Sequence, residues 1–265
     1  MRVAGLGEAC DFGLLLVLPV WPSADGGDPA GDRPVTVLVD CGSDTPGAEP
    51  VTRIRASLQD ALRQSGQPPN DLGLDLVLVT NTGARHHSAL SGATTGLRIG
   101  KVFHGAEADE YKSPTRDWLI KNDARALGAS SLGGPALVSS GGALLAVEAV
   151  NGSGRTGVSG AGGGPVDRDM NSMVLRLAFG RMCVLLMSSA PAALCKKVQG
   201  TVDAVHIGGE TDRVVVTGSP PAGALDYWPW EMATGDWVTS VLVDTNGESG
   251  VAGSQISVLH TRLPK

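Results

Sequence analysis

The chain has 265 residues, enough for one large domain or two small ones, and its 42% hydrophobic content is that of an ordinary globular core. With 21 basic and 27 acidic residues it carries a net charge of −6, and its nearest approach to a basic cluster is Lys196–Lys197, so direct nucleic-acid binding is not expected. No apolar run reaches the ~18 residues of a membrane helix, and the four cysteines (Cys10, Cys41, Cys183, Cys195) lie too far apart for a zinc knuckle.

Met1 to Leu6 reads as an edge strand, and Gly13 to Leu18 is apolar throughout, as a strand covered on both faces must be. Glu8 and Asp11 precede that run and no small-x-small cleavage site follows it, so a buried strand is expected there rather than an export signal, and the chain is expected in the cytoplasm. The even cysteine count permits two disulfides, but nothing in the sequence supports them; Cys41 and Cys183 are expected to pack as small hydrophobes. After a loop rich in Pro, Gly and Asp, Val35 to Asp40 forms the second strong strand. Pro50 to Leu62 is a helix with Val51, Ile54, Leu58 and Leu62 on one face, stopped by Gly66 and Pro68–Pro69.

The central stretch is Leu74 to Gly92. An apolar strand ends at Thr80 and gives way to small and polar residues and to His86–His87. A buried strand that holds such a loop still is a common way to build a site. Adjacent histidines at a strand-to-helix junction point in different directions. His86 is expected to bond the backbone or Asp40, and His87 to face solvent. His104, His206 and His260 are read as satisfied histidines rather than ligands. A short helix over 88–93 and a strand near 97–103 follow. Ser113–Pro114 opens another helix, with Trp118, Leu119 and Leu127 inward.

In the second half, strands are expected at 136–139, 143–150, 173–179, 182–187, 202–207, 214–217, 237–243 and 255–260, with a short helix at 191–198. Residues 151–165 are dense in glycine but lack Gly-Lys-Ser/Thr and a strand-to-helix frame, which makes them a flexible loop rather than a phosphate cradle. Tyr227, Trp228, Trp230 and Trp237 place four large rings close together, either as core packing or as the centre of an interface.

The central stretch resembles the main motif of the metallo-β-lactamase superfamily, a strand ending in Thr-His-x-His-x-Asp-His. In that register Thr80 takes the threonine, Asn81 the first histidine, Gly83 the second, Arg85 the aspartate and His86 the last histidine. Asp40-Cys41-Gly42 resembles the family's second motif, Asp-x-Gly. The later hairpin, NSMVLRLAFGRMCVLLMSSA, resembles the branch containing the C-terminal domain of the bacterial DNA-uptake channel, with Ser188–Ser189 where Gly-Asp stands. The family's later histidine pair falls on Gly209–Glu210, or, with a shortened loop, its first member falls on His206. The resemblance implies an α/β fold, a four-layered αββα sandwich in one domain spanning 1–265, its halves meeting near residue 130.

It also implies a relic pocket made of Asp40, Asn81, Gly83, Arg85, His86, Ser188, Ser189 and His206. Glycine has no donor, asparagine is a poor zinc ligand, and arginine carries a fixed charge where a cation would sit. No metal or other cofactor is therefore expected. An Arg85–Asp40 pair could take the metal's place as the tie between loops. The leading expectation is a catalytically degenerate member acting as a structural or interaction subunit, with a protein partner, plausibly a catalytic metallo-β-lactamase relative. The alternatives are a hydrolase with a rebuilt single-metal or metal-free site, for which Ser188, Ser189, His86 and Asp40 supply a nucleophile, base and acid, or a module binding a small ligand in the relic cleft.

Overall fold

The computed structural model describes residues 2–6, 10, 12–18, 33–43, 45, 47–127, 136–140, 143–150, 172–179, 182–186, 188, 213–216 and 242–243. Strands β1 (Arg2–Gly5), β2 (Phe12–Leu18), β3 (Val35–Gly42), β4 (Gly73–Val79), β5 (Arg98–His104) and β6 (Arg125–Ala126) form one six-stranded sheet in chain order. β1, β2 and β3 pair antiparallel, and β3 to β6 run parallel. The second sheet contains β7 (Ala136–Ser140), β8 (Ala143–Val150), β9 (Met173–Phe179), β10 (Met182–Leu186), β11 (Arg213–Val216) and β12 (Leu242–Val243), again in chain order. Its first four strands are antiparallel, and β11 and β12 then add parallel.

The apolar runs are continuous because the first sheet is covered on both faces. Leu14, Leu16, Leu18, Val37, Val39, Leu76 and Leu78 meet Ala143, Leu145, Val147, Met173, Leu175, Leu177 and Leu186 of the second sheet. The alternate residues, among them Leu15, Val17, Leu38, Val77 and Val79, face helices on the other side. Each fully buried Leu or Val contributes roughly 1.5–3 kcal/mol of transfer free energy.

Helix α1 (Ala48–Gln64) supplies Ile54, Leu58 and Leu62 to that outer core, each wholly buried. α3 (Leu90–Ala93) adds Leu90 and Ala93, and α4 (Thr115–Lys121) adds Trp118 and Leu119. The chain is a mixed α/β protein, with helices on one face of a sheet that packs its other face against a second sheet. The outer helices expected over the second sheet, including 191–198, lie outside the described residues, as do the expected strands at 202–207 and 255–260 and the loop at 151–165.

Three local expectations are corrected. The helix expected over 88–93 is the shorter α3, and a separate one-turn helix, α2 (Ala84–His87), precedes it; between the two, Ala89 N–H leaves the helical pattern to bond Cys41 O at 3.1 Å. α4 starts at Thr115 with Pro114 at its cap, and the Ser113 hydroxyl instead donates to the Asp117 carboxylate at 2.7 Å. Leu127 joins the core between the sheets rather than the helix side.

Candidate functional site: a hydrogen-bonded seam at the strand ends

β3 and β4 run parallel, so their C-terminal ends lie side by side. That geometry puts Asp40 beside Thr80, and the Thr80 backbone N–H and hydroxyl donate to the two carboxylate oxygens at 2.7 and 2.5 Å. His86, on α2, completes the set, its Nδ1 lying 2.8 Å from Asp40 Oδ2. Both side chains are almost fully buried, at 3% and 1% exposure. These hydrogen bonds replace those the carboxylate loses from water on burial.

Gly42 allows α2 to lie this close. A Cβ at that position would stand 1.8 Å from Arg85 O and 2.7 Å from His86 N. Asp40 itself has φ of 57°, a left-handed conformation that a bulge in the β2–β3 pairing accommodates.

The same strand ends are fastened to the second sheet. Thr80 O accepts from Met173 N–H at 2.7 Å, and Asn81 Nδ2 donates to Ser172 Oγ at 2.9 Å. Asn81 Oδ1 accepts the Gly83 N–H at 2.6 Å, so the amide is used at both ends. Ser188, just past β10, lies with its Oγ 2.7 Å from Thr80 Oγ1. The Thr80 proton goes to Asp40, so the Ser188 hydroxyl must be the donor in that bond. Ser188 has φ of 52°, near that of Asp40, and each residue sits where a strand leaves toward the next parallel strand.

The structure thus brings together Asp40, Asn81, Gly83, Arg85, His86 and Ser188. Ser189 and His206 lie outside the described residues, as do Tyr227, Trp228, Trp230 and Trp237. The tie to Asp40 foreseen for Arg85 is made by His86; Arg85 is half-buried on α2, with its backbone against Gly42. His87 is not solvent-facing. It is 2% exposed, with Nδ1 2.8 Å from Thr115 Oγ1 and Nε2 3.0 Å from Thr82 O, and its ring meets Tyr111 edge-on at 5.2 Å. His104 also meets Tyr111 edge-on, at 5.5 Å, with Nδ1 against Ala106 O. Burial, the main cause, holds both imidazoles below the ordinary histidine pKa, so both are neutral at pH 7.

Ser172 is the partner that sequence reasoning missed. Its only signal was the Asn-Ser pair opening the second hairpin, which carries no pointer to Asn81.

These donors do not fit the dinuclear metal centre of the family that the sequence resembles. Of the four residues on the family's central motif, Asn81 is consumed by the seam, Gly83 has no side chain and Arg85 is a fixed cation. His86 alone offers an imidazole, with one of its nitrogens on Asp40. Among the described residues, no group of three or more His, Cys, Asp or Glu is placed to hold a metal ion.

No protein-family model matches the chain, and no curated protein matches it significantly. Among solved structures it is similar to the β-hydroxylase CmlA from Streptomyces venezuelae, at 16% identity over 81% of this chain and 34% of that one, with a TM-score of 0.42. It spans about a third of that protein's length. It is also similar to Zn(2+)-bound PqqB from Methylobacterium extorquens (14% identity, 83% of this chain, 73% of that one, TM-score 0.42). A third is a metallo-β-lactamase from Hirschia baltica (12%, 82% and 90%, TM-score 0.38). At such identities and scores none of these likenesses bears on chemistry.

Proposed function

We propose that the chain is a catalytically silent protein of metallo-β-lactamase type that serves as a structural or interaction subunit in the cytoplasm. One observation carries this reading: Asn81, at the place of the family's first metal ligand, engages both ends of its amide, the oxygen with Gly83 and the nitrogen with Ser172. The position that would open toward a metal instead ties the first sheet to the second. A hydrolytic zinc site needs several neutral imidazoles or carboxylates and an open coordination place. This seam supports neither.

The partner in this reading is a protein, plausibly a catalytic relative of the same fold, and its contact surface includes the rings at Tyr227, Trp228, Trp230 and Trp237. Aromatic side chains bury much area for few rotamers lost, which suits an interface centre. Purifying the native chain under mild conditions tests this. A stoichiometric partner should accompany it, and alanine at Trp228 or Trp230 should weaken the complex by more than ~2 kcal/mol while leaving the free chain's melting temperature unchanged. A chain that elutes alone, or variants that lose the fold without a separable loss of binding, would contradict the interface.

A second reading, a metal-free serine hydrolase, draws on the buried Asp40–His86 pair, which has the form of an orienting acid and a base. Ser188 opposes it: the residue is wholly buried, and its proton is directed to Thr80. Covalent labelling of Ser188 by a fluorophosphonate probe would favour the hydrolase over the silent subunit.

A further inference from the structure

Gly13 of β2 stands opposite the bulge of β3, between the pairs Phe12↔Gly42 and Leu14↔Val39, and so faces the Asp40–Cys41 stretch. Its missing side chain leaves a space on the helix-facing side of the sheet. The Cys10 sulfur fills that space: a Cβ on Gly13 would stand 2.6 Å from Cys10 Sγ and 3.4 Å from Asp40 O. Cys41 belongs to the same outer core as Cys10, and neither is in a disulfide, Cys41 at 0% exposure and Cys10 at 6%. Because Gly13 faces the Asp40–Cys41 stretch, the Cys10 sulfur lying over Gly13 stands beside Cys41, and this neighbouring thiol, ahead of burial, raises the Cys41 pKa. Two cysteines 31 positions apart in sequence thus meet beside the residue at the centre of the seam.

We propose that Cys10 and Cys41 form a reversible dithiol–disulfide pair in which Cys10 reacts first with a small peroxide and Cys41 resolves it. In the first step Cys10 sulfur attacks one oxygen of hydrogen peroxide and the O–O bond breaks, giving a Cys10 sulfenic acid and one water. In the second, Cys41 sulfur displaces the sulfenic hydroxyl, which leaves as a second water, and the S–S bond forms. Two thiols are oxidised and one peroxide is reduced. A thiol donor such as glutathione reverses the change through a mixed disulfide.

The order follows from access. Cys10 retains some exposure, whereas Cys41 is enclosed and its thiol holds its proton while the Cys10 thiol stands against it. The bond would tie the chain ahead of β2 to the strand end that carries Asp40, and so brace the seam in an oxidising setting.

The test treats the native, reduced chain with hydrogen peroxide and maps its peptides by mass spectrometry, alongside melting curves with and without dithiothreitol. A cross-link between the peptides bearing residues 10 and 41 is expected, with a melting temperature several degrees higher that dithiothreitol reverses. In C41S, dimedone should trap a sulfenic acid on Cys10; in C10S, Cys41 should stay unmodified. G13A leaves both cysteines intact but expels the Cys10 sulfur, and it should abolish the cross-link while both thiols remain titratable in denaturant. The proposal is overturned if the native chain gives no 10–41 peptide, if dimedone labels Cys41 in C10S, or if G13A cross-links as well as the parent.

Discussion

Thr80 has one hydroxyl, and it sits between two buried groups, donating to Asp40 and accepting from Ser188. Thr80→Val keeps the shape but removes one of the two donors to Asp40 Oδ2, which then keeps only His86 Nδ1, and leaves the Ser188 hydroxyl proton without its acceptor. Stranding such groups costs roughly 1–3 kcal/mol, so Thr80→Val should lower stability by that much in urea unfolding. Thr80→Ser, which keeps the hydroxyl and loses one methyl, should cost about 1 kcal/mol or less. Equal losses in the two variants would mean that the hydroxyl has no part in the seam.

His87 and His104 make a second statement at this scale. Both are held below the ordinary histidine value, chiefly by burial. Below pH ~6.5 the unfolded chain takes up protons at these positions that the folded chain refuses. Their contribution is therefore fully present above that pH and lost as pH falls toward the folded values. The urea midpoint should fall on acidification from neutral pH, less steeply in His87→Gln than in the parent. An unchanged slope in the variant would show that position 87 does not titrate differently on unfolding.

At the scale of the element, α2 is a single turn that nothing in its own propensity would hold. It is fixed by its contact with Gly42 and by the hydrogen bonds of His86 and His87 on its two sides. Gly42→Ala would set a methyl 1.8 Å from Arg85 O, a backbone atom that cannot swing away. At Gly92 the added methyl meets only Val51 Cγ1, at 2.3 Å, the end of a side chain on α1. Gly42→Ala should therefore cost at least the ~3 kcal/mol upper end of ordinary overpacking and Gly92→Ala clearly less, both read from thermal unfolding. The reverse order would show that α2 is not pinned by β3.

This element also marks where the sequence was legible. The apolar runs of β2, β3 and β4 identified themselves because both their faces are covered, and α1 because Ile54, Leu58 and Leu62 recur at helical spacing. Asp40 was one of two partners expected for His86, the backbone being the other, since Asp40 stands near the end of β3 and His86 follows soon after the end of the neighbouring β4. The burial of His87 was not readable, because Tyr111 and Thr115, which cover it, come from a loop and helix whose docking leaves no local pattern. The same holds for Ser172 and for Cys10: each meets its partner across a long stretch of chain.

At the scale of the molecule, two sheets share one core, and the strand ends that would frame a metal cleft are joined by Thr80–Met173, Asn81–Ser172 and Thr80–Ser188. A protein that needs metal to tie these loops gains stability from it, by about 2.7 kcal/mol when free metal stands at a hundred times its dissociation constant. A protein tied by its own side chains gains nothing. The most direct measurement is the melting temperature of the purified chain as isolated, after exhaustive chelation, and after addition of excess zinc, with metal content by elemental analysis on the same samples. The predicted result is three coincident melting curves and less than one zinc, manganese or iron per chain. Near-stoichiometric metal that survives gentle chelation, or a fall of several degrees once it is stripped, would contradict the closed seam.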